Sequence, residues 1–293
     1  MNDFNKDKKK NKINSNLSTN TSKSILENIN SKYIIEQIFD NLLRRKMLQI
    51  IKYNKHFQKK LNISKNDYKN FIEIEIELIP EEYSSGQFIN ILNKKDRLFY
   101  HIFFDDNKNE IDRNYIYFNE QIAKIKIIID YEIKSFEKLF QYCDCIKSIS
   151  FLKFCRNDIN NMSSMFYQCN TLKKIDLSKL ITNNVSNMAK MFYNCSSLEE
   201  LNLTNFNTKN VKDMSSMFEG CISLKKLDIS NFNTINVLDM SHMFLSCKSL
   251  EKINLSNFSI NNVINMNLMF IGCSNNLKKL VKEQNKNIKS CAY

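Results

Sequence analysis

The stretch MSSMFEGCISLKKLDISNFNTINVLD, residues 214–239, decides the fold, because its pattern occurs six times at a spacing of 26 residues. The repeated cysteines are Cys143, Cys169, Cys195, Cys221, Cys247 and Cys273. An aromatic residue stands three positions before each of these cysteines, and Met, Leu or Phe stands four and seven positions before it. A fixed period of this length indicates structural units that stack on one another.

Each unit is predicted to contain one short helix and one short strand. The segment Met-Ser-Ser-Met-Phe-Glu-Gly-Cys that begins at Met214 places its apolar residues at i, i+3, i+4 and i+7, which is one face of a helix. Asp213, just before it, is a favoured N-cap residue. The alternation Leu-Asp-Ile that begins at Leu227 predicts a strand. We therefore expect an α/β repeat solenoid of the leucine-rich-repeat kind over residues 136–280, with a parallel sheet along one side.

The same run resembles the 26-residue repeat of bacterial surface proteins, the BspA-like leucine-rich repeat. The resemblance covers residues 136–280 and rests on the repeat length, the Met pair, the Phe, the Cys and the Leu residues. The first copy, FEKLFQYCDCIKSISFLKF, has Phe and Leu in place of the two Met, and the last has an extra residue in CSNNLKKL. The resemblance implies adhesion or protein binding without enzymatic activity, in a class known from bacterial surfaces and expanded in some protists.

The regions outside the repeats divide into four segments. Residues 1–22 are polar and basic and are expected to form a disordered tail. Residues 23–65 have apolar residues at helical spacing and resemble a degenerate F-box, which implies docking to a Skp1-type ubiquitin-ligase adaptor; a helical cap on the repeats explains the same pattern. Residues 66–135 alternate with period 2 and predict either a β-rich module or degenerate early coils. Residues 281–293 are expected to be a C-terminal cover or tail.

The positive charge is concentrated near the start of the chain. Of the net charge of +12, residues 1–60 carry +9, from 14 Lys/Arg and 5 Asp/Glu. Such a segment is either a solvated lead-in or a site for nucleic acid or an anionic membrane. No secretory signal, apolar membrane span or lipidation motif is evident, and nine cysteines suit a reducing compartment. We expect a cytoplasmic protein, with the cell surface as the alternative that the resemblance implies.

No catalytic, cofactor or metal chemistry is expected. None of the three histidines, His56, His101 and His242, has a nucleophile or metal ligand at a spacing that indicates a catalytic or metal site. Cys143 and Cys145 form one Cys-x-Cys pair without a second pair at zinc spacing. Stacked Met and Cys are soft ligands for Cu(I), but their repetition in a fixed frame favours core packing. Three glycines leave no phosphate-binding loop, so no small-molecule substrate is expected.

The remaining candidate site is the solvent side of the predicted sheet. Residues five and seven positions after each repeated cysteine are expected to point outward in two rows, one mostly basic and one acidic or amide. The candidate partner-binding residues are Lys174, Asp176, Glu200, Asn202, Lys226, Asp228, Lys252 and Asn254. A solvated face with local charge pairing explains the same residues. The sequence thus predicts a protein-interaction module, with an adaptor for ubiquitin ligation as its sharpest version. A surface adhesin and a nucleic-acid or membrane binder are the alternatives.

Overall fold

The structure is a computed structural model that describes residues 58–59, 74–130, 133–255 and 257–293. Its contacts divide the chain into two units, Met1–Phe71 and Ile72–Tyr293, and almost all described residues belong to the second. The predicted basic tail, residues 1–22, lies outside the described residues. So does the predicted F-box-like segment, residues 23–65, apart from Gln58 and Lys59.

A five-stranded sheet occupies the first part of the second unit. Its strands are β1 (Ile74–Pro80), β3 (Tyr100–Phe104), β5 (Ile125–Ile129), β6 (Ile146–Phe154) and β7 (Lys174–Asp176), in the order β3-β5-β1-β6-β7. All neighbours are antiparallel except β6 and β7, which are parallel. A second antiparallel pair consists of β2 (Gly86–Gln87) and β4 (Tyr115–Ile116), and a 3-10 helix spans Lys94–Phe99. In β1 every second residue is buried, as the period-2 alternation of its sequence requires.

Strand β6 belongs to both parts of the unit. It pairs antiparallel with β1 and parallel with β7, which lies in the second copy of the repeat. The strands before the repeats therefore pair in the antiparallel manner, whereas successive copies pair in the parallel manner. The first copy is held in one sheet with the preceding β-rich region.

The copies of the repeat lie side by side in register. Strands β8 (Lys226–Asp228) and β9 (Lys252–Asn254) are parallel neighbours, and Glu200 pairs with Lys226 in the same row. A second row of parallel bridges joins Ser135, Asn161, Asn187, Asp213, Asp239 and Asn265, each residue to the one 26 positions later. We call residues 135–273 the repeat stack. Each copy in it contacts the next through two separate segments of backbone.

The predicted short helix in each repeat is wrong. The segment that ends at each repeated cysteine consists of turns in all six copies. In residues 162–169, the N–H of Met165 closes the first turn by donating to the C=O of Met162 at 3.3 Å. The third residue of that turn, Ser164, has a φ of 54°, which type II turns require at this position and a right-handed helix excludes. The second turn, closed by the N–H of Cys169, repeats this geometry.

Positive φ recurs at the same two places in every copy, one and five positions before the cysteine. The residues concerned are Lys138, Tyr142, Ser164, Gln168, Lys190, Asn194, Ser216, Gly220, His242, Ser246, Leu268 and Gly272. This geometry turns alternate N–H groups toward the next copy: the N–H of Phe166 donates to the C=O of Met191 at 2.9 Å. A helix would use these donors internally, so the contact between copies outweighs the helical preference of the segment.

The predicted N-cap residues have a different role. The side-chain oxygen of Asp213 accepts a hydrogen bond from the N–H of Ser215 at 2.9 Å, and Asn161, Asn187, Asp239 and Asn265 bond in the same way. An acceptor two residues before the donor forms an Asx turn, which needs no helix after it. Asp and Asn at this position therefore form turns, and the prediction that they cap helices is wrong.

The core of the repeat stack is made of rows of identical side chains. Phe140, Phe166, Phe192, Phe218, Phe244 and Phe270 stack face to face with ring centroids 5.4–5.7 Å apart. Beside them, the repeated cysteine of each copy from the second to the sixth donates its thiol to the C=O of the preceding copy's phenylalanine, as Cys221 does to Phe192 at 3.1 Å. The rows bury the apolar faces that a single copy could not cover alone.

Polar side chains join the copies at the edge of the core. Asn210 donates to the C=O of Asn183 at 2.7 Å, 27 residues earlier, and Asn236 and Asn262 repeat the bond. The buried hydroxyl of Thr208 donates to the C=O of Asn233 at 3.0 Å. The asparagine bonds tie neighbouring copies together at the surface. The bond of Thr208 satisfies a buried hydroxyl, which would cost about 1–3 kcal/mol if it had no partner.

Both ends of the repeat stack are covered. At the first copy, the N–H of Asn90 donates to the C=O of Leu139 at 2.7 Å. At the last copy, helix α1 (Asn275–Gln284) brings the Gln284 amide to the C=O of Ile253 at 3.0 Å. A 3-10 helix at Ser290–Ala292 follows, and the Tyr293 ring stacks on that of Phe270 at 5.7 Å. Among the described residues, no helix is both long and apolar enough to cross a membrane.

We predict that Phe218→Ala lowers the free energy of unfolding by about 3–5 kcal/mol, because it leaves a cavity between two stacked rings. Urea denaturation followed by circular dichroism measures the change. Phe118→Ala is the matched control, since that ring is 75% exposed, and it should shift the midpoint little. Equal effects of the two substitutions would contradict the buried row of rings.

Candidate binding surface

The candidate residues lie together on the strand side of the repeat stack. All eight are exposed, and they are carried by β7, residues 200–202, β8 and β9. Lys226 lies beside Glu200 on one side and beside Lys252 on the other, and Asp228 lies beside Asn254. The residues between them in sequence, such as Leu227, point into the core. The structure therefore places the candidates in two rows on one face, which we call the strand face.

The strand face contains a groove of about 930 Å³. Five of the eight candidates line it: Lys174, Glu200, Asn202, Lys226 and Asp228. Its apolar lining includes Ile175 and Leu201. Asp176, Lys252 and Asn254 lie outside the groove lining, so the structure brings together most of the candidate set. We call this feature the strand-face groove.

The groove coincides with a break in the strand pairing. Strand pairs are present from β6 to β7, from Glu200 to Lys226 and from β8 to β9. Among the described residues of this face, no pair joins β7 to residues 200–202. Ile175 at this break is only half-buried, whereas Leu227 in the third strand of the row is 2% exposed. The break thus leaves the Ile175 side chain partly accessible to solvent, between the charged side chains that line the groove.

The acidic and amide row serves the fold itself. The side-chain oxygens of Asp176, Asn202 and Asp228 accept hydrogen bonds from the backbone N–H two residues later, at 2.9–3.0 Å. The backbone N–H of Ser178 and that of Ser230 hold the pKa values of Asp176 and Asp228 below the ordinary value by stabilising the charged form. This row ends the strands and closes the following turns. The sequence did not suggest that role to us, although Asp and Asn are residue types that commonly form Asx turns with the backbone two residues later.

The basic row keeps its charges available. In the adjacent row, Lys225 pairs with Glu199 at 2.9 Å and Lys173 pairs with Glu81 at 3.1 Å. Lys174, Lys226 and Lys252 make no ion pair with any residue that the structure describes; they are therefore the part of the candidate set with unused hydrogen-bonding capacity.

The cysteines of the repeat stack are placed for packing. Burial raises the pKa of Cys221 to about 12 and that of Cys273 to about 11, so these thiols stay protonated at neutral pH. A protonated, buried thiol that donates to a carbonyl is a poor nucleophile. Within the described ranges, no group of three or more His, Cys, Asp or Glu side chains could hold a metal ion.

The histidines give one contact that the sequence did not suggest. On the edge strand β3, the Nδ1 of His101 lies 3.1 Å from a Glu110 oxygen and its Nε2 lies 3.6 Å from an Asp130 oxygen. Because Glu110 is nine residues away and Asp130 lies beyond the neighbouring strand, sequence spacing could not reveal the arrangement. His242 occupies a positive-φ position of a turn, and His56 lies outside the described residues.

Comparison with known proteins agrees with the repeat assignment. A family model described as "Mycoplasma protein of unknown function, DUF285" matches residues 160–284, most of the repeat stack together with helix α1. The chain matches no curated protein and no solved structure. The similarity thus covers the repeat part of the chain and carries no stated activity.

The burial of the thiols predicts a sharp difference in alkylation. In the folded protein at pH 8, iodoacetamide should modify Cys155 and Cys291, which are exposed, and spare the seven buried cysteines. After denaturation in urea, all nine should react. Mass spectrometry of the intact protein counts the adducts. Rapid labelling of Cys169, Cys195 or Cys221 in the native state would contradict the packing described here.

Proposed function

We propose that this protein is a non-catalytic protein-binding module that contacts its partner through the strand face. The groove carries the proposal, because it combines exposed charges with accessible apolar surface at a break in the strand pairing. Binding sites combine an apolar area with a few placed polar groups in this way. The groove also lies on the part of the chain that is built by repetition, where a binding face extends over several copies.

The proposal includes a solenoid architecture of the BspA-like leucine-rich-repeat kind for residues 136–280. Support comes from the parallel bridges at 26-residue intervals and from the rows of identical core residues. In this architecture, the strand side is the default surface for a partner.

Two versions of the function differ in the partner and its compartment. In the adaptor version, residues 23–65 dock to a Skp1-type protein while the strand face holds a second protein, and the chain works in the cytoplasm. In the adhesin version, the strand face binds a surface component of another cell, as BspA-like repeats imply. The strand face is the binding element in both versions, so one experiment on that face addresses them together.

Site-specific photo-crosslinking tests the proposal. A benzophenone amino acid at Lys174 or Lys226 should give discrete protein adducts in extracts of the source cells, because both positions border the groove. The same amino acid at Lys212, an exposed residue just before the turn segment, is the matched control. Adducts that are absent, or equal at Lys212, would contradict a partner on the strand face.

A further inference from the structure

We propose that the strand-face groove binds an extended acidic segment of a protein partner, whose carboxylates meet Lys174 and Lys226 in the groove and Lys252 beside it. This inference rests on the proposed function, because it takes the strand face as the binding surface. It adds the chemistry of the partner and the spacing of its charges.

Two neighbouring rows of the strand face differ in their charge pattern. Four positions after the cysteines, the row reads Lys173, Glu199, Lys225 and Glu251, with strict alternation and a Lys225–Glu199 ion pair at 2.9 Å. Five positions after the cysteines, the row reads Lys174, Glu200, Lys226 and Lys252. The first row neutralises itself, whereas the second keeps two positive charges in excess. The carboxylates of Asp176 and Asp228 lie on the same face, and each accepts a hydrogen bond from the backbone N–H two residues later. An anionic partner is the complement of that second row.

The second row also contains a pair of like charges. Lys226 and Lys252 are direct neighbours across β8 and β9. Like charges directly opposite each other destabilise a sheet. In this row Glu200 lies beside Lys226 on its other side, and it offsets the charge of Lys226 but does not lie beside Lys252. Features that oppose folding in this way are expected at functional sites. A carboxylate placed between the two ammonium groups removes the repulsion.

The spacing of the lysines fits an extended chain that runs along the row. Lys174 and Lys226 are two copies apart. The parallel bridges Asn161–Asn187 and Asn187–Asp213 hold the same three copies together, and at a strand spacing of about 4.8 Å two copies span about 10 Å. Three residues of extended peptide also span about 10 Å. Acidic residues at positions i and i+3 therefore reach both lysines, and a further acidic residue reaches Lys252. The residue between them faces Glu200 and is best neutral or basic.

Glu200 distinguishes this ligand from a nucleic acid. Its carboxylate is exposed in the middle of the groove, between the two lysines. A nucleic-acid backbone carries a charge on every phosphate and would bring one against this carboxylate. A peptide can carry acidic side chains at some positions and a neutral side chain at the position that faces Glu200. The groove also offers the half-buried apolar side chain of Ile175, which suits a peptide backbone with small side chains.

Fluorescence anisotropy with the full chain and a labelled peptide tests the inference. The probe is Gly-Glu-Ala-Ala-Glu-Ala-Glu-Gly, which carries acidic residues at the inferred spacing. An isomer with its three Glu residues adjacent has the same charge and should bind more weakly. Replacing Lys174, Lys226 and Lys252 together by Glu should weaken binding of the spaced probe by more than about tenfold.

A matched variant controls for net charge. Lys190→Glu, Lys209→Glu and Lys212→Glu change three exposed lysines outside the groove lining and should leave the affinity within about twofold. Glu200→Gln should strengthen binding of the clustered isomer by about two- to fivefold, because it removes a like charge from the groove.

The outcomes separate the inference from the proposed function. Equal loss of binding in both triple variants, or equal affinity for the spaced and clustered probes, overturns the acidic-segment inference. Binding of single-stranded oligothymidine through the same three lysines, in preference to the peptide, also overturns it. If photo-crosslinking at Lys174 captures a partner while the peptide does not bind, the strand face is a binding surface for a partner of different chemistry. Absence of both results overturns the proposed function as well.

Discussion

The hydrogen bond between backbone groups 25 residues apart is the constraint on which the structure depends. The bond from the Phe166 N–H to the Met191 C=O, and its equivalents in the other copies, fixes the length of the repeat. A copy that is one residue longer moves every donor away from its acceptor. The same bond requires positive φ at two places in each copy, because only then do alternate N–H groups point along the stack. Even non-glycine residues such as Ser164 accept this conformation.

The side chains follow from that backbone. Identical residues lie beside one another once the backbone is in register, so flat rings stack, and from the second copy onward the repeated thiol meets the carbonyl of the copy before it. Cys suits that place because it is small, buries well and donates a weak hydrogen bond. Asn suits the loop positions because its amide reaches a carbonyl in the neighbouring copy, as Asn210 reaches Asn183. The abundance of Asn in the repeats therefore has a structural reason.

The sequence predicted the repeat, its register and its buried residues, because periodicity records burial directly. It predicted a helix where turns occur, because paired turns of this kind put apolar residues at the same spacing as a helix face. The signal that distinguishes them was present: Gly220 and Gly272, two of the three glycines in the chain, stand just before the cysteine at a positive-φ position. The sequence also predicted the rows of the strand face. It did not predict the groove, because the groove arises from a missing strand pair between β7 and residues 200–202, which depends on packing rather than on the sequence pattern.

The direction of the hydrogen bonds between copies has a mechanical consequence. These bonds run from copy to copy, so a force applied between the two ends of the repeat stack pulls along them rather than across them. Bonds loaded in this direction separate one interface at a time. Each copy that detaches adds 26 residues to the unfolded chain, which is roughly 90 Å when extended. The repeat stack is therefore built to lengthen in discrete steps under tension, and each step removes one copy's share of the strand face.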